Sequence, residues 1–192
     1  MSSITVAPRT LADAIPGGLA RNVALVLGGA GFVGLTAQLA IPLPFTPIPL
    51  SLQTFSVLLT VAALGSTRGL LSMAVYVLAG VAGVPWFAQD HSGWQFASFG
   101  YVVGFLLAAV LVGKLAERGA DRTPLRAAGL MVLGNLAFYA VGVPGLMAFT
   151  GMSLDKALLA GVVPFLVGDA IKIALAAGLL PAAWKLVGSR DS

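Results

Sequence analysis

Long uncharged apolar runs alternate with short polar punctuation along the whole chain. Val23 to Ile41 carries no charge over 19 residues, enough for one transmembrane helix, since about 20 apolar residues cross the hydrocarbon core. Five more apolar runs follow. Together they predict a single membrane domain over 1–192, with spans at about 22–41, 51–64, 69–84, 99–115, 126–148 and 162–187. Residues 1–20 read as a cytoplasmic tail, not a secretory signal, because the apolar run behind them is too long and more spans come after it. Between the first two spans lie four prolines in eight residues, from Pro42 to Pro49. Proline lacks the N–H and obstructs the preceding turn, so this stretch is no regular helix. It is also too apolar for a solvated loop, which predicts an extended or re-entrant segment at the mouth of a bundle. Gly65 to Gly69 reads as a tight polar turn. Pro144 and Gly145 interrupt the fifth run, and a short helix over Ala157–Val163 precedes Pro164, which suits the first turn of the sixth span.

Composition agrees. The chain is 58% hydrophobic and 9% charged, with a mean hydropathy of +0.97, where a soluble domain carries about 25% charged residues. The fold class is therefore an all-α integral membrane protein, a bundle of six transmembrane helices in the lipid bilayer. Six crossings put both termini on one side. Arg9, Arg21, Arg68, Lys114, Arg118, Arg122, Arg126, Lys185 and Arg190 fall on that side, Lys156 falls opposite and Lys172 falls inside a span. The positive-inside rule makes the N and C termini cytoplasmic. It also accounts for a pI near 9.9 without nucleic acid as a partner. With no cysteine, disulfides are excluded, and a single histidine, His91, argues against a histidine-based metal site.

Candidate chemistry centres on Gly168-Asp169-Ala170-Ile171-Lys172, an acid and a base in an otherwise apolar segment. A charge at the centre of a bilayer costs about 3 kcal/mol on insertion scales. Three residues make nearly one helical turn, so both side chains share a face. That face belongs in a protein interior or a wet cavity. A structural ion pair pinning two helices and a polar ligand site are the two readings. Asn135 and Tyr139, four apart, share a face of the fifth span, as an interhelical hydrogen bond or as ligand contacts. The loop from Pro85 to Phe96, with Trp86 and Trp94, reads as an interfacial aromatic belt or as a lid. In the first span, Ala24/Gly28 and Ala30/Gly34 are small pairs four apart, which allows close helix approach within the bundle or to a separate subunit. No GxxxxGK[ST] loop, HExxH or GxSxG motif occurs, so the chain has no nucleotide loop of its own and is not expected to be an enzyme.

Three motifs in order now resemble a known family. Pro44-Phe45-Thr46-Pro47-Ile48-Pro49 followed by Leu52-Gln53-Thr54-Phe55, then Asn135 with Tyr139, then Gly161-Val162-Val163-Pro164-Phe165 with Gly168-Asp169 and Lys172, look like signatures of BioY. BioY is the biotin-specific substrate-binding (S) component of energy-coupling-factor (ECF) transporters. The likeness covers about residues 22–187. The loop before the fourth span departs from the family's Pro-Thr-Gly-Gly-Tyr ending and keeps only Gly100-Tyr101. The resemblance implies high-affinity capture of biotin from outside, with no bound cofactor. It implies as partners a transmembrane coupling protein (EcfT or BioN) and ABC ATPases (EcfA or BioM) that use the ATP. It implies a biotin site drawn from Phe45, Gln53, Trp86, Tyr101, Asn135, Tyr139, Asp169 and Lys172, and a docking face for the coupling protein at Ala24, Gly28, Ala30 and Gly34. Another vitamin as ligand, such as thiamine or riboflavin, and a structural membrane subunit with no ligand are the alternatives.

Overall fold

The structure, a computed structural model, describes residues 9–188. It is built almost wholly of helices: α1 (Leu19–Ala37), α2 (Gln53–Val81), α3 (Phe99–Ala116), α4 (Pro124–Thr150), α5 (Leu154–Gly161) and α6 (Leu166–Gly188). Helix α1 begins before and ends sooner than the apolar run suggests, because the chain turns extended ahead of Pro42. There β1 (Ala40–Ile41) pairs antiparallel with β2 (Leu50–Ser51), Ala40 opposite Ser51 and Ile41 opposite Leu50. The prolines of 42–49 occupy the connection, where their missing N–H groups cost no ladder bond.

Helix α2 is a hairpin. Gly65 adopts φ 81°, ψ 179°, a conformation favourable for glycine and costly for a residue with a Cβ. Gln53 and Tyr76 would lie about 35 Å apart on one straight helix. Instead Gln53 Nε2 donates to the Tyr76 hydroxyl at 2.9 Å. The turn needs one residue, not the five of the expected polar loop. The reason is Glu117 at the end of α3, whose Oε1 accepts from Ser66 N at 2.7 Å and Ser66 Oγ at 2.8 Å. The carboxylate thus caps the second arm as an N-cap side chain would.

Helix α4 runs unbroken through Pro144, where the sequence suggested an interruption. Packing holds it: Gly145 and Gly100 bring the backbones of α4 and α3 together, with no room for a methyl group on either. Between α2, α3 and α4 sits a core of Met73, Tyr76, Phe105, Phe138 and Val61, with Phe105 edge-on to Phe138 at 5.1 Å. Outward-facing positions stay apolar. On α6, Val167, Ile171, Leu175 and Leu179 recur every fourth residue and are all exposed. Five stretches are long and apolar enough to cross a membrane, counting the α2 hairpin as one and α5 with α6 as another. The protein is a multi-pass membrane protein.

The two ends of the bundle differ. At one, a 3₁₀ turn (Leu11–Ala14) tucks under α2, and Asp13 pairs with Arg68 at 2.8 Å. Burial works against ionisation of Asp13, but hydrogen bonds from Arg68 and Thr10 outweigh it and hold its carboxyl below the ordinary value. At the same end, buried Asp121 accepts from Trp184 Nε1 at 2.7 Å, and Arg122 lies 4.4 Å over the Trp184 ring. Burial pushes the Asp121 carboxyl up despite these neighbours. At the other end the proline-rich loop, the 82–98 loop and α5 meet. Thr46 Oγ1 donates to the Ala160 carbonyl at 2.7 Å and accepts from Ile48 N at 3.2 Å.

Candidate functional site

A cavity opens at this second end, lined from α2, α3, α4 and α6 and by the loops above them. About 60 Å³ of it is wide enough for the centre of a water molecule, within some 560 Å³ of space free of atoms. The larger figure includes open solvent at the mouth, and the smaller one falls well below the roughly 300–1,000 Å³ of small-molecule pockets. The smaller one makes the cavity a slot that a ligand must widen.

Asp169 lies in the first turn of α6, where the helix dipole favours a carboxylate. It is 7% exposed. The Tyr139 hydroxyl of α4 donates to its Oδ2, and Lys172 Nζ lies 3.6 Å from its Oδ1. Lys172 Nζ also donates to Thr54 Oγ1 of α2 at 2.9 Å. Asp169 and Lys172 balance each other in charge and still face open space. Asn135, one turn before Tyr139, lines the same cavity, and its side chain makes no hydrogen bond with any described residue. Tyr101 closes the far side, its hydroxyl committed to the Gly161 carbonyl at 2.9 Å. Ile48, Pro49, Phe105, Phe138 and Phe165 supply apolar wall.

Of the eight ligand residues expected from sequence, six border this cavity: Gln53, Tyr101, Asn135, Tyr139, Asp169 and Lys172. Phe45 stands outside it, 67% exposed at the tip of the proline-rich loop. Trp86 is also outside the lining, its ring stacked 5.1 Å from Tyr76 and against Gly34 of α1. Gln38, at the end of α1, donates to the Trp86 and Phe87 carbonyls at 3.0 and 3.3 Å. It thereby straps down the 82–98 loop, in which Gln89 and Asp90 hold left-handed φ values of 63° and 56°. Thr54 and Ser98 line the cavity too. Thr54 was within reach of sequence reasoning, as the neighbour of Gln53 in the same motif. Ser98 carries no local signal.

The four small residues of α1 divide. Ala24 and Gly28 are exposed, and a side chain at Gly28 would meet nothing within 4 Å. Ala30 and Gly34 are buried, and a methyl at Gly34 would come within 3.0 Å of the Trp86 ring.

A bundle of membrane helices with a polar-floored, apolar-walled slot near one end has the build of a small-molecule-binding membrane subunit. The chain belongs to the BioY family, whose model matches residues 6–189. The biotin transporter BioY of Thermotoga maritima is 39% identical over 140 residues, covering 71% of this chain and 81% of its own. A probable biotin transporter BioY of Pyrococcus horikoshii is 36% identical over 161 residues, covering 82% and 92%. Among solved structures, the S-component for biotin from an ECF-type ABC transporter, a crystal structure at 2.1 Å, matches with a TM-score of 0.77 at 21% identity, over 86% of this chain and 92% of that one. At that identity the match shows a shared fold. These relatives are transport proteins, not enzymes.

Proposed function

We propose that this chain is the biotin-binding S component of an ECF-type uptake transporter in a prokaryotic plasma membrane. The reading rests chiefly on the cavity in which unpaired Asn135 meets the Tyr139–Asp169–Lys172 cluster, and on the biotin transporters among its relatives. Biotin carries a ureido ring with two N–H donors and a carbonyl, an apolar sulfur-containing ring and a carboxylate. Asp169 and Gln53 accept ureido N–H bonds, Asn135 both donates and accepts, and Lys172 is the cationic donor to a ligand oxygen. Tyr101 and Phe105 pack the apolar ring.

The fold-back at Gly65 supports six crossings: α1, the two arms of α2, α3, α4 and α6, with α5 lying at the surface. The end that gathers Arg9, Arg21, Arg68, Lys114, Arg118, Arg122, Arg126 and Lys185 is then cytoplasmic, and the cavity faces outward. Arg190 falls outside the described residues. The exposed Ala24/Gly28 face docks a coupling protein (EcfT or BioN), and ABC ATPases (EcfA or BioM) spend the ATP. Thermal unfolding of the detergent-purified protein tests the ligand. Biotin at a hundred times Kd adds about 2.7 kcal/mol of stability, and thiamine and riboflavin add none. No shift with biotin overturns the reading.

A further inference from the structure

Tyr76 lies on the second arm of α2, fully buried against Trp86, Phe87 and Phe105, and is not part of the cavity lining. Its hydroxyl is nevertheless fully used on the way there. The proton goes to the Trp86 carbonyl at 3.0 Å, because a carbonyl can only accept. The same hydroxyl must then accept from Gln53, whose Nε2 lies 2.9 Å away. The Trp86 end is anchored in turn: its indole N–H donates to the Tyr76 carbonyl at 3.0 Å, and Gln38 Nε2 donates to the Trp86 carbonyl. Donors therefore run in one direction, and the amide of Gln53 has one orientation, nitrogen towards Tyr76. Its Oε1 receives no hydrogen bond from any described residue, in a side chain that is buried yet borders the cavity.

We propose that Tyr76 is a positioning residue for ligand selection, holding the Gln53 amide so that its Oε1 is left free to accept a ligand N–H at this wall. The inference rests on the biotin reading, in which the N–H belongs to the ureido ring. A site built to meet a polar group discriminates strongly, because a ligand lacking that group leaves a buried partner unpaired.

The test measures equilibrium binding of biotin and of biotin methylated on a ureido nitrogen. The proteins are the wild type, Tyr76→Phe, Gln53→Ala and the double variant. Phenylalanine keeps the buried ring and removes only the hydroxyl. Tyr76→Phe is expected to lose on the order of tenfold in biotin affinity, the size of one hydrogen bond, and to narrow the ratio between biotin and its methylated form. The double variant is expected to bind no worse than Gln53→Ala, because Tyr76 acts through Gln53. Independent, additive losses, or a Tyr76→Phe loss that leaves the ligand ratio unchanged, would overturn the proposal. A wild type that ignores biotin instead defeats the reading beneath it.

Discussion

Tyr139 on α4 donates its hydroxyl proton to Asp169 on α6, and Lys172 stands one turn further on at 3.6 Å from the same carboxylate. The hydrogen bond ties two helices together, yet the cluster keeps an open side. In the proposed complex that carboxylate accepts from the ligand while Tyr139 holds it in place. Tyr139→Phe removes the donor and leaves Asp169 partly unsatisfied, so biotin affinity falls on the order of tenfold, the usual worth of one such bond. Direct binding to the purified variant measures this, and an unchanged affinity removes Tyr139 from the account.

Gly28 and Gly34 lie on one helix but face different surroundings. Gly28→Leu reaches open space and is expected to leave biotin binding and thermal stability intact while abolishing co-purification with the coupling protein. Gly34→Leu drives a side chain into the Trp86 ring and is expected to lower the unfolding temperature of the isolated protein. Equal behaviour of the two variants would mean that α1 faces a different way.

Gly113 sits where α3 meets the α2 turn. A methyl there would lie 2.5 Å from the Ser66 backbone, and backbone gives way less easily than a side chain. Gly113→Ala is expected to cost about 1–3 kcal/mol, the range for overpacking. Gly129→Ala, on α4 with nothing within 4 Å, is expected to be neutral or slightly stabilising, since alanine favours helix. Thermal unfolding of both in one detergent checks the pair.

Asp121 gives a pH dependence of definite sign. Burial raises its folded pKa above the unfolded value of about 3.9. The native state therefore holds a proton that the unfolded chain releases, and this contribution to stability is lost as pH rises through that window. Asp13 has the opposite sign, its lowered pKa adding stability that disappears in acid. Comparing wild type with Asp121→Asn cancels the Asp13 part. The variant is expected to gain in relative unfolding temperature as pH rises above about 4, and a difference independent of pH would contradict the assignment.

Much of this was written in local pattern. Apolar run length located the helices, and Gly65 stood inside the turn foreseen between the second and third spans. Asn135, Tyr139, Asp169 and Lys172 stood out because polar groups are costly among apolar neighbours, Gln53 entered through the resemblance alone, and the fold brings all five to one cavity. Contacts between distant segments were not legible. That Gly65 alone suffices for the turn depends on Glu117, 52 positions further along. The burial of Gly34 depends on Trp86, which a loop delivers from far along the chain. Phe45 and Trp86 have the same aromatic appeal in sequence, and only packing puts one outside the bundle and the other behind Tyr76. Tyr76 itself reads as one more core aromatic until its hydroxyl is followed to Gln53.

Isotope-labelled biotin binding to the purified wild type, Asp169→Asn and Lys172→Ala tests the account most directly. Saturable binding by the wild type, lost or weakened by tenfold or more in each variant while both variants still fold, is the predicted result. Wild-type affinity in both variants would show that the acid and base of α6 serve only to join helices, and would contradict the ligand site placed there.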